Sequence, residues 1–389
     1  MTPPESDDAR TRALFIAGAL GAVAFVAVAA LLVVGLKRPD AGDAVSVAPK
    51  TATRSADAGD RARDTAARRS DALPAKVPEG RLFARTSFWN QRLTETTPID
   101  PNSTVLVQGL VAEVERERRA NIGPWIGGHD TTSLYRVGRS VPRVRVRLEG
   151  RNFLGGHALQ RAFASVPIPS DAKPAAGPDR HMTIWQPSTD TLWEFFKARR
   201  RSDGWHARWG GAIRRVSKSS GYYSRAAWPG TTDNWGATAS SLPVIGGTML
   251  LEELEAGRID HALAINLPAP RANVFAWPAQ RTDGTGPLTA LPEGARLRLD
   301  PDVDVSALRL PKLTQMIARA AQRHGLVVRD QTGHAISLFL GNRSQLPVKA
   351  YGAYFNGRTP QDLLASFPWE RLQVLKMQLC TKAPCRRDG

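Results

Sequence analysis

The sequence predicts a mainly β fold, of the sandwich or jelly-roll kind with antiparallel sheets and a few decorating helices, preceded by one N-terminal transmembrane helix. Three observations predict it. A run of 24 residues without a charge, Ala13 to Leu36, lies near the start of the chain. Short β-type runs separated by Gly, Pro, Asp and Ser fill most of the remainder. Few helical patterns interrupt those runs, which favours antiparallel layers over a doubly wound sheet.

Taken in order, residues 1–12 read as a cytoplasmic tail and residues 13–36, "ALFIAGALGAVAFVAVAALLVVGL", as the membrane span. At ~1.5 Å per residue this run crosses a ~30 Å hydrocarbon core with some tilt. It is longer than the apolar region of a signal peptide, and no small-x-small site follows it directly, so it reads as an uncleaved anchor. Arg10 and Arg12 precede it, while Lys37, Arg38, Lys50 and Arg54 follow it. That count alone would keep the C-terminal part inside. A short tail and the indifference of long domains to flanking charge favour the opposite, so residues 81–389 are expected outside the cytoplasm. Residues 37–80, rich in Ala, Asp, Arg, Ser and Thr without apolar periodicity, read as a disordered tether.

Residues 81–389 read as a single β-rich domain. "SFWNQRLTETTPIDPNS" is an extended opening, followed by a helix capped at Ser103 with Val107, Leu110, Val111 and Val114 at helical spacing. Strands are then expected in "RVRVRLEG", "HMTIW", "TLWEFF", "GWHARWGG", "IDHALAINL", "ARLRLD", "LVVRD" and "AISLFL". Two further helices, "MLLEELEAG" and "LPKLTQMIARAAQRHG", each stop at a glycine, Gly257 and Gly325. Cys380 and Cys385 either close a short disulfide loop, as an exporting compartment allows, or remain free thiols. The pair without nearby histidines is not a zinc site.

Nearly all of the net charge of +17 belongs to the domain, which carries +16, because residues 1–80 hold 11 basic against 10 acidic residues. Such a field favours an anionic partner: an acidic polysaccharide, a phosphate-bearing wall polymer, lipid headgroups or nucleic acid. Nucleic acid is the least favoured of these, since no binding motif appears and the basic residues are scattered. No G-x-S-x-G elbow, H-E-x-x-H helix, phosphate loop or dinucleotide fingerprint is present, so the common hydrolase, zinc-protease, kinase and dehydrogenase templates find no support and no cofactor or metal is implied. Carbohydrate chemistry leaves no such local signature. Its two carboxylates can come from distant strands.

The stretch "HMTIWQPSTDTLWEFF", residues 181–196, reads as a hairpin in which Gln186 faces Thr191 and Thr183 faces Glu194. One face then carries Met182, Ile184, Trp193 and Phe195. The other mixes aromatics, including Trp185, with His181 and Glu194 as diagonal neighbours. Aromatic faces with a few convergent polar groups suit sugar binding. Glu194 is the expected acid/base, oriented by His181, with Asp330 or Asp203 as second carboxylate and His261 at the substrate. In a lyase variant His181 or His261 is the base, Tyr222 or Tyr223 the proton donor, and Arg208 or Arg225 neutralises a carboxylate. His206, beside Trp205 in "SDGWHARWGG", joins the expected substrate contacts. A non-catalytic wall-binding or protein-binding module would use the same face without proton transfer.

The segments "DRHMTIWQP", "LWEFF", "SDGW", "GRIDHALAI", "FAWPAQRTDG", "GARLRLDP" and "HGLVVRDQTG" resemble a group of exported, actinobacterial-type proteins. The resemblance covers most of residues 81–345 and implies one continuous secreted domain, with no particular reaction. Where some of that group carry an imidazole after "WPA", this chain has Gln280 and Arg281.

Overall fold

A computed structural model describes residues 82–127, 131–341 and 349–386. The predicted tail, span and tether lie outside the described residues, and among those described no helix is long and apolar enough to cross a membrane.

The described chain is β-rich with few helices. Its largest sheet has six strands in the spatial order Trp125–Gly127, Ser337–Phe339, Leu263–Leu267, Leu326–Gln331, Arg296–Leu299 and Leu372–Val374. A second sheet has four, in the order Trp209–Arg214, Thr191–Phe196, His181–Gln186 and Thr132–Arg136. The sheets are mixed rather than purely antiparallel. Leu263–Leu267 runs parallel to Leu326–Gln331, and Thr132–Arg136 parallel to His181–Gln186. Each of these pairs is joined by a long crossover, as parallel neighbours require. The crossovers carry helices, Gly156–Ala162 in one and Leu251–Glu255 before, with Lys312–Arg323 within, the other.

Alternation along the central strands feeds two cores. Leu263, Ile265, Leu326 and Val328 point into one, beneath the helices Ser103–Arg119 and Lys312–Arg323. Ala264 and Val327 point the other way, into a core that also takes in Trp185 and Leu192 of the four-stranded sheet. Burying each large apolar side chain here contributes about 1.5–3 kcal/mol. At position 329 the pairing with Leu263–Leu267 bulges, and the arginine there lies within electrostatic reach of Glu194 in the four-stranded sheet.

The hairpin register is as read from the sequence. Gln186 pairs with Thr191 and Thr183 with Glu194 across a 3-10 turn at Pro187–Thr189, closed by Asp190 at φ +49°. The mixed face, however, is covered. Thr183, Leu192 and Glu194 are fully buried and His181 and Trp185 only 8% exposed, because the loop after Trp235 and the six-stranded sheet lie over them. Three local expectations also shift. Asn102, not Ser103, precedes the first helix, and the Ser103 hydroxyl instead accepts the Val374 N–H at 2.8 Å. His261 precedes its strand, which begins at Leu263. Cys380 and Cys385 form a disulfide.

Candidate functional site

A bulge in the pairing of Leu263–Leu267 with Leu326–Gln331 sets Arg329 and Asp330 together opposite Asn266. Each organises part of one loop, residues 237–246. Glu194 accepts the Ala237 N–H and the Val244 N–H, each at 2.8 Å, one on each carboxylate oxygen. The His181 Nε2–H donates to the Ala237 carbonyl at 3.2 Å. Arg329 donates to the carbonyls of Val244 and Gly246. Beside it, Asp330 accepts the Ala239 N–H at 2.9 Å. Arg281 donates to the Thr238 carbonyl at 2.7 Å and to the Ser241 hydroxyl at 2.9 Å. Four charged side chains and one imidazole thus hold a loop that has no regular hydrogen-bond ladder of its own, which answers where its backbone polar groups go.

Beside that loop lies a carboxylate cluster. Oxygens of Asp283, Glu293 and Asp330 come within 4.8 Å of one another. Asp283 is exposed, Asp330 half-buried, and Glu293 fully buried without a well-formed hydrogen bond. Glu293 is fixed there by backbone rather than side-chain contacts. Gly294 adopts φ +85°, and a β-carbon on it would fall 1.8 Å from the Ala276 carbonyl oxygen, so only glycine lets the chain pass this close.

The electrostatics follow from burial and proximity. Burial, reinforced by the Asp283 charge, pushes the Asp330 carboxyl up to about 7 against the Ala239 N–H, Arg329 and Arg281. Burial and then Asp330 and Asp283 drive Glu293 well above the carboxylate range. Burial also raises Asp283, with Arg281 opposing. Burial raises Glu194 to about 7 despite its two backbone donors, and lowers Arg329 to about 10 and His181 to about 4. His181 is therefore a neutral imidazole at neutral pH, with Nε2 committed as donor. Burial, then the Glu194 charge, pushes the Tyr223 phenol well above its usual value.

Like-charged carboxyls this close do not all ionise at neutral pH. The set therefore offers a protonated acid and an ionised carboxylate side by side, with the Arg281 guanidinium as counter-charge. The same oxygens are hard ligands of the type a calcium or magnesium ion takes.

The structure brings together His181, Glu194, Tyr223 and Asp330 of the residues expected from sequence, through the 237–246 loop. The other expected residues lie elsewhere. His261 pairs with Glu253 at 3.0 Å while its Nδ1 meets the Ala262 carbonyl at 2.8 Å. Burial opposes and Glu253 outweighs it, so its proton is held more tightly than usual. Both ring nitrogens thus face acceptors, which suits a clamp between helix Leu251–Glu255 and the sheet better than a base. With Trp185, His261 lines a separate cavity of about 630 Å³ whose lining does not include His181, Glu194 or Asp330. Trp185 is covered there by Arg136, 4.6 Å from its ring. Asp203 sits in the turn between Arg199–Arg201 and Gly204–Ala207, bonded to His206 at 2.9 Å. Arg208 and Arg225 are exposed, and Tyr222 packs edge-on to Trp277.

Asp283, Glu293, Arg281 and Arg329 escaped sequence reading. "RTDG" and "LPEG" look like turns, where an acid is ordinary. The one usable signal was Arg329, a charge inside the apolar run "GLVVRD", which needs buried partners. Comparison of the chain with protein-family models, with curated proteins and with solved structures finds no match in any of the three.

Proposed function

We propose that the chain is a membrane-anchored, extracytoplasmic glycoside hydrolase acting on a wall or matrix polysaccharide, with Asp330 and Asp283 as its carboxylate pair. The observation that carries this reading is the Asp330 carboxyl, held at about 7 within 4.8 Å of the exposed Asp283 carboxylate. Glycosidases need one protonated and one ionised carboxyl beside the same bond, and carboxyls this close leave no room for a water between them, which suits the retaining course.

In that course Asp330 gives its proton to the glycosidic oxygen as the Asp283 carboxylate forms an ester with the anomeric carbon and the glycosidic bond breaks. Water then hydrolyses the ester, losing its proton to Asp330 and regenerating both groups. Burial and the Asp283 charge keep Asp330 from ionising, and Glu293, held protonated by burial and by Asp330 and Asp283, stands beside the pair as a neutral neighbour. Arg281 holds the loop and offsets negative charge, including that of an anionic sugar. Glu194, His181 and Arg329 fix the loop from beneath. The anchored, exported setting is supported by the uncharged run Ala13–Leu36 and the tether composition that follows it.

The test is release of new reducing ends from a panel of wall and matrix glycans by the full chain. Asp283→Asn and Asp330→Asn should each reduce release by about a hundredfold or more. Release by both variants at the wild-type rate would remove the proposal.

A further inference from the structure

A small three-stranded sheet lies apart from the site, formed by Val146–Leu148, Gly204–Ala207 and Arg199–Arg201. Val146, Leu148, Trp205 and Ala207 are buried on one face. On the other, register sets Arg147 beside His206 and His206 beside Arg199, with Arg201 two positions along its strand. Arg145 and Arg208, both exposed, carry the same alternation beyond the strand ends. The acids among these arginines are Glu149, paired with Arg199 and Arg201, and Asp203, paired with Arg147 at 3.1 Å. Five guanidiniums against two carboxylates leave the face positive. Two depressions of about 420 and 490 Å³ share Arg145 and Arg147 in their walls.

A second observation adjoins it. Arg151 and Asn152, in the wall of one depression, lead into Phe153 and Leu154, which are 51% and 71% exposed. Single exposed apolar side chains are ordinary, but two adjacent ones at a loop tip need a reason. The tip is fixed in place. The Phe153 N–H donates to the Gly150 carbonyl at 3.0 Å, the Gly156 N–H donates to the Phe153 carbonyl at 2.8 Å, and the Phe153 ring lies 5.7 Å from that of Trp209. Gly155, at φ +79°, completes the turn. Leu154 is thereby presented outward and not folded back.

A fixed apolar tip rimmed by arginines is the arrangement of a protein that rests on a bilayer surface. The cations meet headgroup phosphates, and the aromatic and aliphatic side chains enter the boundary with the acyl chains. A polysaccharide would use the arginines but gains nothing from Leu154, which has no hydrogen-bonding group for a hydroxyl. We propose that this face docks the folded domain onto an anionic lipid surface, with Phe153 and Leu154 inserted and Arg145, Arg147, Arg151 and Arg208 against the headgroups. The proposal does not depend on the carboxylate site.

The test uses the full chain carrying Asn152→Cys. Cys380 and Cys385 are bonded to each other, so a single new thiol takes an environment-sensitive dye. The labelled chain is reconstituted in vesicles of phosphatidylcholine alone, or of phosphatidylcholine with phosphatidylglycerol, each with brominated acyl chains. Quenching is expected in the anionic vesicles and several-fold less in the neutral ones. It should fall to the neutral level with Leu154→Ser or with Arg145→Glu and Arg208→Glu together, exposed changes that break none of the ion pairs above. Equal quenching in both lipids, none in either, or quenching unmoved by these variants would overturn the proposal. A dye response to an added anionic polysaccharide with none to the anionic vesicles would also overturn it, and would give the face to the polysaccharide.

Discussion

His181 and Glu194 meet through one residue: the imidazole donates to the carbonyl of Ala237 and the carboxylate accepts its N–H. The two side chains that stand out in the hairpin sequence thus grip the backbone of a single residue on both sides of its Cα. Their joint effect is to fix the 237–246 loop against which Asp330 and Arg281 are set.

Replacing Glu194 tests that role. In Glu194→Gln one carboxylate oxygen becomes an NH2 group, which cannot accept the Ala237 or Val244 N–H and leaves a buried donor unpaired. The cost is about 1–3 kcal/mol, a loss of several degrees in thermal midpoint. Thermal unfolding checks it. A midpoint within a degree of wild type would show that the loop does not rest on this carboxylate.

Stability should fall as pH rises above 6.5. Glu194 and Asp330, held to about 7, and Glu293, held higher, keep protons in the folded chain that the unfolded chain releases at ordinary carboxylate values. Folding therefore takes up protons between those values, and stability drops as pH climbs through the window. His181 and His324, lowered to about 4 by burial, act in the opposite sense, but only below their unfolded value of 6.5. His261, raised overall, adds to the decline above that pH. The thermal midpoint should drop from pH 6.5 into the alkaline range, and Glu293→Gln should flatten the slope. A slope as steep in the variant as in wild type would contradict the assignment of a proton to Glu293.

The C-terminal disulfide should be a local clip. Cys385 exchanges hydrogen bonds with Gln280, its N–H donating to Oε1 at 3.0 Å and its carbonyl accepting from Nε2 at 2.9 Å. Strand Leu379–Cys380 pairs with Phe275–Ala276. Closing so short a loop stabilises by about 2 kcal/mol, so reduction should lower the midpoint by a few degrees and raise hydrogen exchange around residues 275–280. Unchanged exchange there would separate the disulfide from the segment that leads to Arg281.

Strand-level organisation was legible in the sequence because it rests on local alternation. Met182, Ile184, Trp193 and Phe195 form one apolar face in sequence and in structure, and the pairing of Thr183 with Glu194 follows from it. What covers the opposite face was not legible. The covering loop, residues 237–246, has no periodicity, and nothing local links it to Arg329, some ninety positions away in sequence. Asp283 and Glu293 were hidden for the same reason: each occupies a turn-like tetrapeptide, and their meeting with Asp330 depends on how distant strands register. Asp330 itself was readable as an acid at a strand end, but not its partners.

The central claim is that Asp330 works as a proton donor beside an ionised Asp283, and the pH dependence of glycan cleavage tests it most directly. With Asp330 protonated below about 7, kcat/KM should fall as pH rises through that value, and Asp330→Asn should abolish the activity whose pH limb it sets. Cleavage that stays level well above pH 7, or that persists at the wild-type rate in Asp330→Asn, would contradict it.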